Sequence, residues 1–150
     1  MTFVPPNEQE VAGIFKKALN KSIISVKRFP TGMAHYVYDV KTPSGNFALR
    51  VANPEMKTGY EGVYAFRAAL KWYNTLKPMG IILPEIYYED IEAKNSPFHC
   101  YIMERLNGVD LMYVYDDMTT AEKEKLAKQI ADMQNKVATL PFDNGFGWSL

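Results

Sequence analysis

What most restricts the fold of this chain is the order in which its hydrophobic period changes between Ser22 and Met103. Ile23-Ile24-Ser25-Val26-Lys27-Arg28-Phe29 is rich in β-branched and aromatic residues, and Pro30-Thr31-Gly32 interrupts it. Tyr36-Val37-Tyr38-Asp39-Val40-Lys41 is a second run of the same kind. Thr42-Pro43-Ser44-Gly45-Asn46 is a turn cluster in which proline and glycine each meet a specific dihedral need. Phe47-Ala48-Leu49-Arg50-Val51 follows as a third strand, so the first part predicts an antiparallel meander. The period then becomes helical over 58–76, where Val63, Phe66, Leu70 and Tyr73 make one stripe and Lys77-Pro78-Met79-Gly80 stops it. Residues 85–92 and 98–103 read as two more strands, parted by the polar turn Glu92-Ala93-Lys94-Asn95-Ser96-Pro97. Five strands with a single helix inserted after the third is an uncommon α+β arrangement.

Helices flank this block. Val11, Ile14, Phe15, Ala18 and Leu19 share a face of an amphipathic helix over 7–20, with Asn7 placed to cap it. After the break at Leu106-Asn107-Gly108 a short helix is expected over 109–117. Thr119 and Glu122 then make a capping box, each side chain satisfying an amide the helix start leaves open, and a helix over 120–139 follows. Its Leu126, Ile130, Met133 and Val137 lie on one face.

Composition narrows the class. With 150 residues, 47% of them hydrophobic and 23% charged, the chain has the material for one globular core. Its formal charge is zero, so no overall field draws it to nucleic acid or to an anionic membrane. Cys100 is the single cysteine, which excludes an internal disulfide and reads as a small buried hydrophobe on a strand. Met1 to Glu10 lacks a basic n-region, and the apolar runs fall far short of the roughly 20 residues a membrane span needs. A cytoplasmic location is the expectation.

The chemistry-bearing candidates fall on the strands and their loops. Alternate strand residues share a face, so Phe47, Leu49 and Val51 should enter the core while Ala48 and Arg50 face the other way. A small residue beside a cation suits a nucleotide, making room for the base and reaching the phosphates; an ordinary exposed strand arginine is the plainer alternative. Glu61 could hold Arg50 in place or simply favour a helix N-terminus. Thr31-Gly32-Met33-Ala34-His35 could close over phosphates with its backbone amides, though it is not glycine-rich. His35 could touch phosphate or cap that loop, and His99 reads as filling a strand position. Backbone groups after Met103 would be free to hydrogen-bond an adenine edge. No His/Cys cluster has metal spacing, and Asp90-x-Glu92 and Asp116-Asp117 are expected at solvent-facing turns. No Gly-x-Ser-x-Gly and no Walker-type Gly-Lys-Ser/Thr occurs.

Phe29-Pro30-Thr31-Gly32-Met33-Ala34-His35-Tyr36-Val37-Tyr38-Asp39-Val40 closely resembles the first hairpin of the aminoglycoside phosphotransferase family. That family is similar in fold to choline kinases and more distantly to protein kinases. Ala48-Leu49-Arg50-Val51 resembles its third strand. Ala69 to Tyr73, with Leu76 to Gly80 and Leu83-Pro84, is similar to its helix and exit. Met103 to Leu111 resembles its hinge, and Leu140-Pro141-Phe142 with Gly145 to Trp148 the segment after the first large-lobe helix. The resemblance runs colinearly over about residues 22–148.

It implies a protein-kinase-like small lobe over 1–106, including an N-terminal helix over 1–20, and over 107–150 a hinge and the truncated start of a helical large lobe. It implies transfer of phosphate from ATP or GTP to a small-molecule hydroxyl. Arg50 would replace the usual phosphate-contacting lysine, Glu61 would be its helix partner, Met103 would line the base pocket, and the backbones of Glu104 and Leu106 would meet the base. Thr31, Gly32, His35 and Ala48 complete the implied nucleotide contacts. The family's His-x-Asp, its later Asn and its magnesium-binding Asp find no match, because Tyr36-Val37 follows His35 and Cys100-Tyr101 follows His99. No catalytic or metal-binding residue is therefore assigned, and magnesium is expected only together with a large lobe. These 150 residues are not expected to complete the reaction alone. A binding module that kept the small-lobe fold without catalysis is the alternative. The apolar stripe of the 120–139 helix is expected to be exposed, predicting self-association through it.

Overall fold

A computed structural model describes residues 3–30, 35–55 and 62–141. The five expected strands are present, as β1 (Ser25–Arg28), β2 (His35–Thr42), β3 (Gly45–Ala52), β4 (Ile86–Asp90) and β5 (Cys100–Glu104). They form one antiparallel sheet in the order β1-β2-β3-β5-β4. The helices are α1 (Glu8–Leu19), α2 (Val63–Leu76) and α3 (Thr120–Val137), with 3₁₀ turns at Lys77–Met79 and Leu111–Tyr113. Where a helix was expected over 109–117, only that one 3₁₀ turn forms, its start capped by the Asp110 side chain accepting from Met112 N. The segment 56–61, in which the expected helix over 58–76 would begin, lies outside the described residues.

The sheet has two faces of different character. On one, α1 buries Val11, Ile14 and Phe15 against Tyr38, Val40, Leu49, Val51, Cys100 and Ile102. Both capping-box bonds of Asn7 and Glu10 start α1, and Asn20 in the left-handed conformation closes it. The Tyr38 hydroxyl donates to Pro6 O at 2.8 Å, tying the chain before α1 to β2. Burial pushes that phenol up to about 12, with the Arg28 cation pulling the other way. The β2–β3 register pairs Tyr38 with Leu49 and Val40 with Phe47, which places all four on the α1 face.

On the opposite face α2 sets Phe66, 1% exposed, against Ala52, Ile91 and Tyr101, with Val63, Leu70 and Met103 around them. Of the α2 stripe read from the sequence, Val63, Phe66 and Leu70 pack here, while the Tyr73 hydroxyl bonds Lys77, Glu85 and Ile86 N. Gly80, in the left-handed region at φ 71, ends the 3₁₀ turn after α2, a conformation that glycine adopts without a Cβ clash.

The β4–β5 connection corrects one expectation. Asp90 is not at the solvent but 4% exposed, accepting from the amides of Lys94 (2.8 Å), Asn95 (2.9 Å) and Ser96 (2.8 Å). The loop folds around this carboxylate, as short acidic side chains do when they bind their own downstream backbone. His99 lies just before β5 and is half-buried, its Nδ1 2.7 Å from Ile91 O. Cys100 is buried, as expected of a strand cysteine.

Candidate nucleotide-facing site

The α2 face of the sheet collects most of the residues that the sequence marked. The β2–β3 ladder pairs His35 with Ala52, Val37 with Arg50 and Asp39 with Ala48. The β3–β5 ladder sets Ala48 opposite Met103 and Arg50 opposite Tyr101. His35, Ala48, Arg50 and Met103 are thus drawn to one surface by register alone. Thr31, Gly32 and Glu61, and with them the expected Arg50–Glu61 pairing, lie outside the described residues.

Arg50 sits in an aromatic cage. Its Nη1 donates to the Tyr101 hydroxyl at 2.6 Å. Its guanidinium lies 5.4 Å from the Tyr101 ring centroid and 5.8 Å from that of Phe66, within cation–π range of both. Phe66 meets Tyr101 edge-on at 4.7 Å and approaches the His35 ring at 4.6 Å. Burial pushes the Tyr101 phenol above its ordinary value, against the opposite pull of the Arg50 charge, so the phenol is neutral. Arg50 and Tyr101 also border a cavity of about 270 Å³ that Trp72, Leu76, Leu83 and Met103 help to line.

The segment after β5 is occupied by side chain. Glu104 N bonds Glu85 O at 2.7 Å, extending the β4–β5 pairing, and the Glu104 carboxylate accepts from Glu85 N at 3.2 Å. Leu106 is exposed, and its carbonyl accepts from Arg105 Nη1 at 2.5 Å. The Arg105 guanidinium also lies over the Phe29 ring at 5.3 Å, and its Nε approaches Asp39 Oδ2 at 3.4 Å, an ion-pair distance without hydrogen-bond alignment. Arg105 therefore links the strand exit to β2 beside Ala48.

Tyr101 and Phe66 are the site residues that sequence reasoning missed. Part of the signal was present: Cys100 and Ile102 are core-type strand residues, so Tyr101 had to share a face with Met103, while its place opposite Arg50 comes only from the β3–β5 pairing. Among the described residues no group of three or more His, Cys, Asp or Glu is arranged to hold a metal ion. No helix of the described residues is long and apolar enough to cross a membrane.

The helix α3 carries no buried residue. Its Thr119–Glu122 capping box is formed as expected. Ile130 and Met133 remain exposed beside Ile81 and Ile82, the latter 97% exposed, and Lys136 Nζ donates to Gly80 O at 3.2 Å.

A five-stranded antiparallel sheet with one helix crossing between its third and fourth strands, and a cation at the centre of the helix-covered face, defines a kinase-like small lobe. The chain belongs to the phosphotransferase enzyme family, APH, whose family model matches residues 25–150. Among solved structures it is similar to a provisionally assigned aminoglycoside phosphotransferase from Ralstonia eutropha JMP134, with a TM-score of 0.50 and 15% identity, covering 69% of this chain and 29% of that one. It also matches a provisionally assigned fructosamine-3-kinase from Thermobifida fusca YX-ER1 at 14% identity and a TM-score of 0.46, covering 69% and 33%. The chain thus spans about a third or less of the length of these structures. No curated protein matches it.

Proposed function

We propose that this chain forms the nucleotide-holding portion of a phosphotransferase that moves phosphate from ATP or GTP to a small-molecule hydroxyl. The observation that carries the reading is the single surface holding Ala48, Arg50 and Met103, with a buried-edge cation beside a residue too small to obstruct a flat base. These residues fit a nucleotide: Arg50 has donors suited to phosphate oxygens, and Ala48 and Met103 give an apolar wall for a base. Thr31, Gly32 and His35 would approach the phosphates, Glu61 would assist Arg50, and the backbone at Glu104 and Leu106 would meet the base edge. In the present arrangement Arg105 donates to the Leu106 carbonyl, so a base amino group would share that oxygen with Arg105. Residues 107–150 would begin a helical lobe, and the acceptor site, the base and the magnesium ligands would come from such a lobe. The nucleotide, with magnesium, would supply the transferable phosphoryl group.

Calorimetric titration of residues 1–150 with ADP and with adenosine, with and without magnesium, tests the reading. Binding of ADP that weakens in Arg50→Ala while the fold persists supports it. A folded chain that binds neither compound refutes it.

A further inference from the structure

We propose that Arg50 and Tyr101 act as one anion-binding pair, in which Tyr101 fixes the guanidinium and adds its own O–H as a second donor to a phosphate oxygen. The inference rests on the nucleotide reading above and brings in a residue which that reading does not contain.

The donor count carries it. A guanidinium can only donate, so in the 2.6 Å contact the Tyr101 oxygen accepts from Arg50 Nη1. The phenol keeps its own hydrogen, and among the described residues no hydrogen bond gives that hydrogen an acceptor. Tyr101 is only 3% exposed, and a buried hydroxyl hydrogen without an acceptor is costly and uncommon. Tyr101 and Arg50 both line one cavity, which gives an acceptor room beside the pair.

Charge points the same way. Among the described residues none of the ion pairs involves Arg50, and its one side-chain hydrogen bond there goes to a neutral group. A neutral phenol holds the guanidinium without cancelling its charge. The rings of Tyr101 and Phe66 flank the guanidinium within cation–π range, and the one donor it gives to Tyr101 leaves its other N–H groups available. A fixed cation beside a second donor suits a phosphate oxygen better than it suits a neutral acceptor.

Tyr101→Phe removes the hydroxyl and keeps the ring, so the contact with Phe66 and the core are retained. The chain of residues 1–150 is titrated by calorimetry with ADP and with adenosine, after circular dichroism confirms that each variant is folded. ADP affinity is expected to fall about tenfold in Tyr101→Phe, with adenosine changed by less than about twofold. In the Arg50→Ala/Tyr101→Phe double variant the two losses are expected to add to less than their sum, because each donor depends on the other. Equal loss for ADP and adenosine, no loss for ADP, or fully additive losses would each overturn the pair. If Arg50→Ala weakens ADP and Tyr101→Phe does not, the pair falls and the nucleotide cleft stands. If the wild-type chain binds neither compound, the cleft reading falls and the pair with it.

Discussion

Asp90 gathers three amides of the β4–β5 connection, and its removal has a calculable cost. Three backbone amides at 2.8–2.9 Å converge on the carboxylate, which is buried almost completely. A hydrogen bond to a charged group contributes about 1.5–3 kcal/mol when nothing replaces it. Lys94 and Asn95 lie at the surface, so water can reach their amides in a variant, and burying the carboxylate offsets part of the gain. We expect Asp90→Ala to cost about 2–3 kcal/mol, a Tm loss of roughly 4–12 °C for a chain of this size. Asp90→Asn should cost about 1–2 kcal/mol, since an amide oxygen can serve two of the three donors while its NH2 faces the third. The pH dependence follows from the same geometry. Burial raises the Asp90 carboxyl, the three amides outweigh it, and the net position is below the ordinary 3.8. A carboxyl depressed in the folded state stabilises fully above its unfolded value and loses that contribution as pH falls through the folded one. Urea unfolding of wild type and Asp90→Asn, repeated from neutral pH to below 3.8, should therefore show a gap that is constant at neutral pH and narrows at the acid end. A neutral-pH gap under about 0.5 kcal/mol, or a gap that does not change with acid, would refute the account.

Two further outcomes are expected. Burial pushes the Cys100 thiol up to about 11, so a thiol reagent at mildly alkaline pH should leave it unmodified until denaturant is added; rapid labelling of the folded chain would contradict its placement in the core. Phe15, fully buried between α1 and the sheet, should cost about 3–5 kcal/mol on change to alanine, read as a lowered urea midpoint; a loss below about 1 kcal/mol would mean that α1 does not seal that face.

Much of the fold could be read from the chain because the local signals agreed with one another. Alternation in Phe47 to Val51 assigned two faces to β3, and the ladder kept them. The Asn7 and Thr119 caps marked helix starts with side chains whose bonds are purely local, which is why they were legible. Register across strands was not legible, because it depends on partners far apart in sequence. The Arg50–Tyr101 contact joins residues 51 positions apart, and only pairing β3 beside β5, rather than beside β4, brings them together. Asp90 was misplaced for a related reason. Acidic residues near a turn usually face water, and the loop's choice to wrap its amides around this one is a property of the folded backbone.

The helix α3 has no buried residue, a complete capping box at its start, and a lysine bond to Gly80 near its end. Its amides are therefore held by local hydrogen bonds more than by packing. In a native-state hydrogen-exchange experiment they should open at a free energy well below that of β3 and β5, whose amides exchange only when the whole sheet comes apart. The chain would then contain two cooperative units of unequal strength, and a thermal scan followed by helix content alone would begin to fall before the tyrosines of the sheet reported any change.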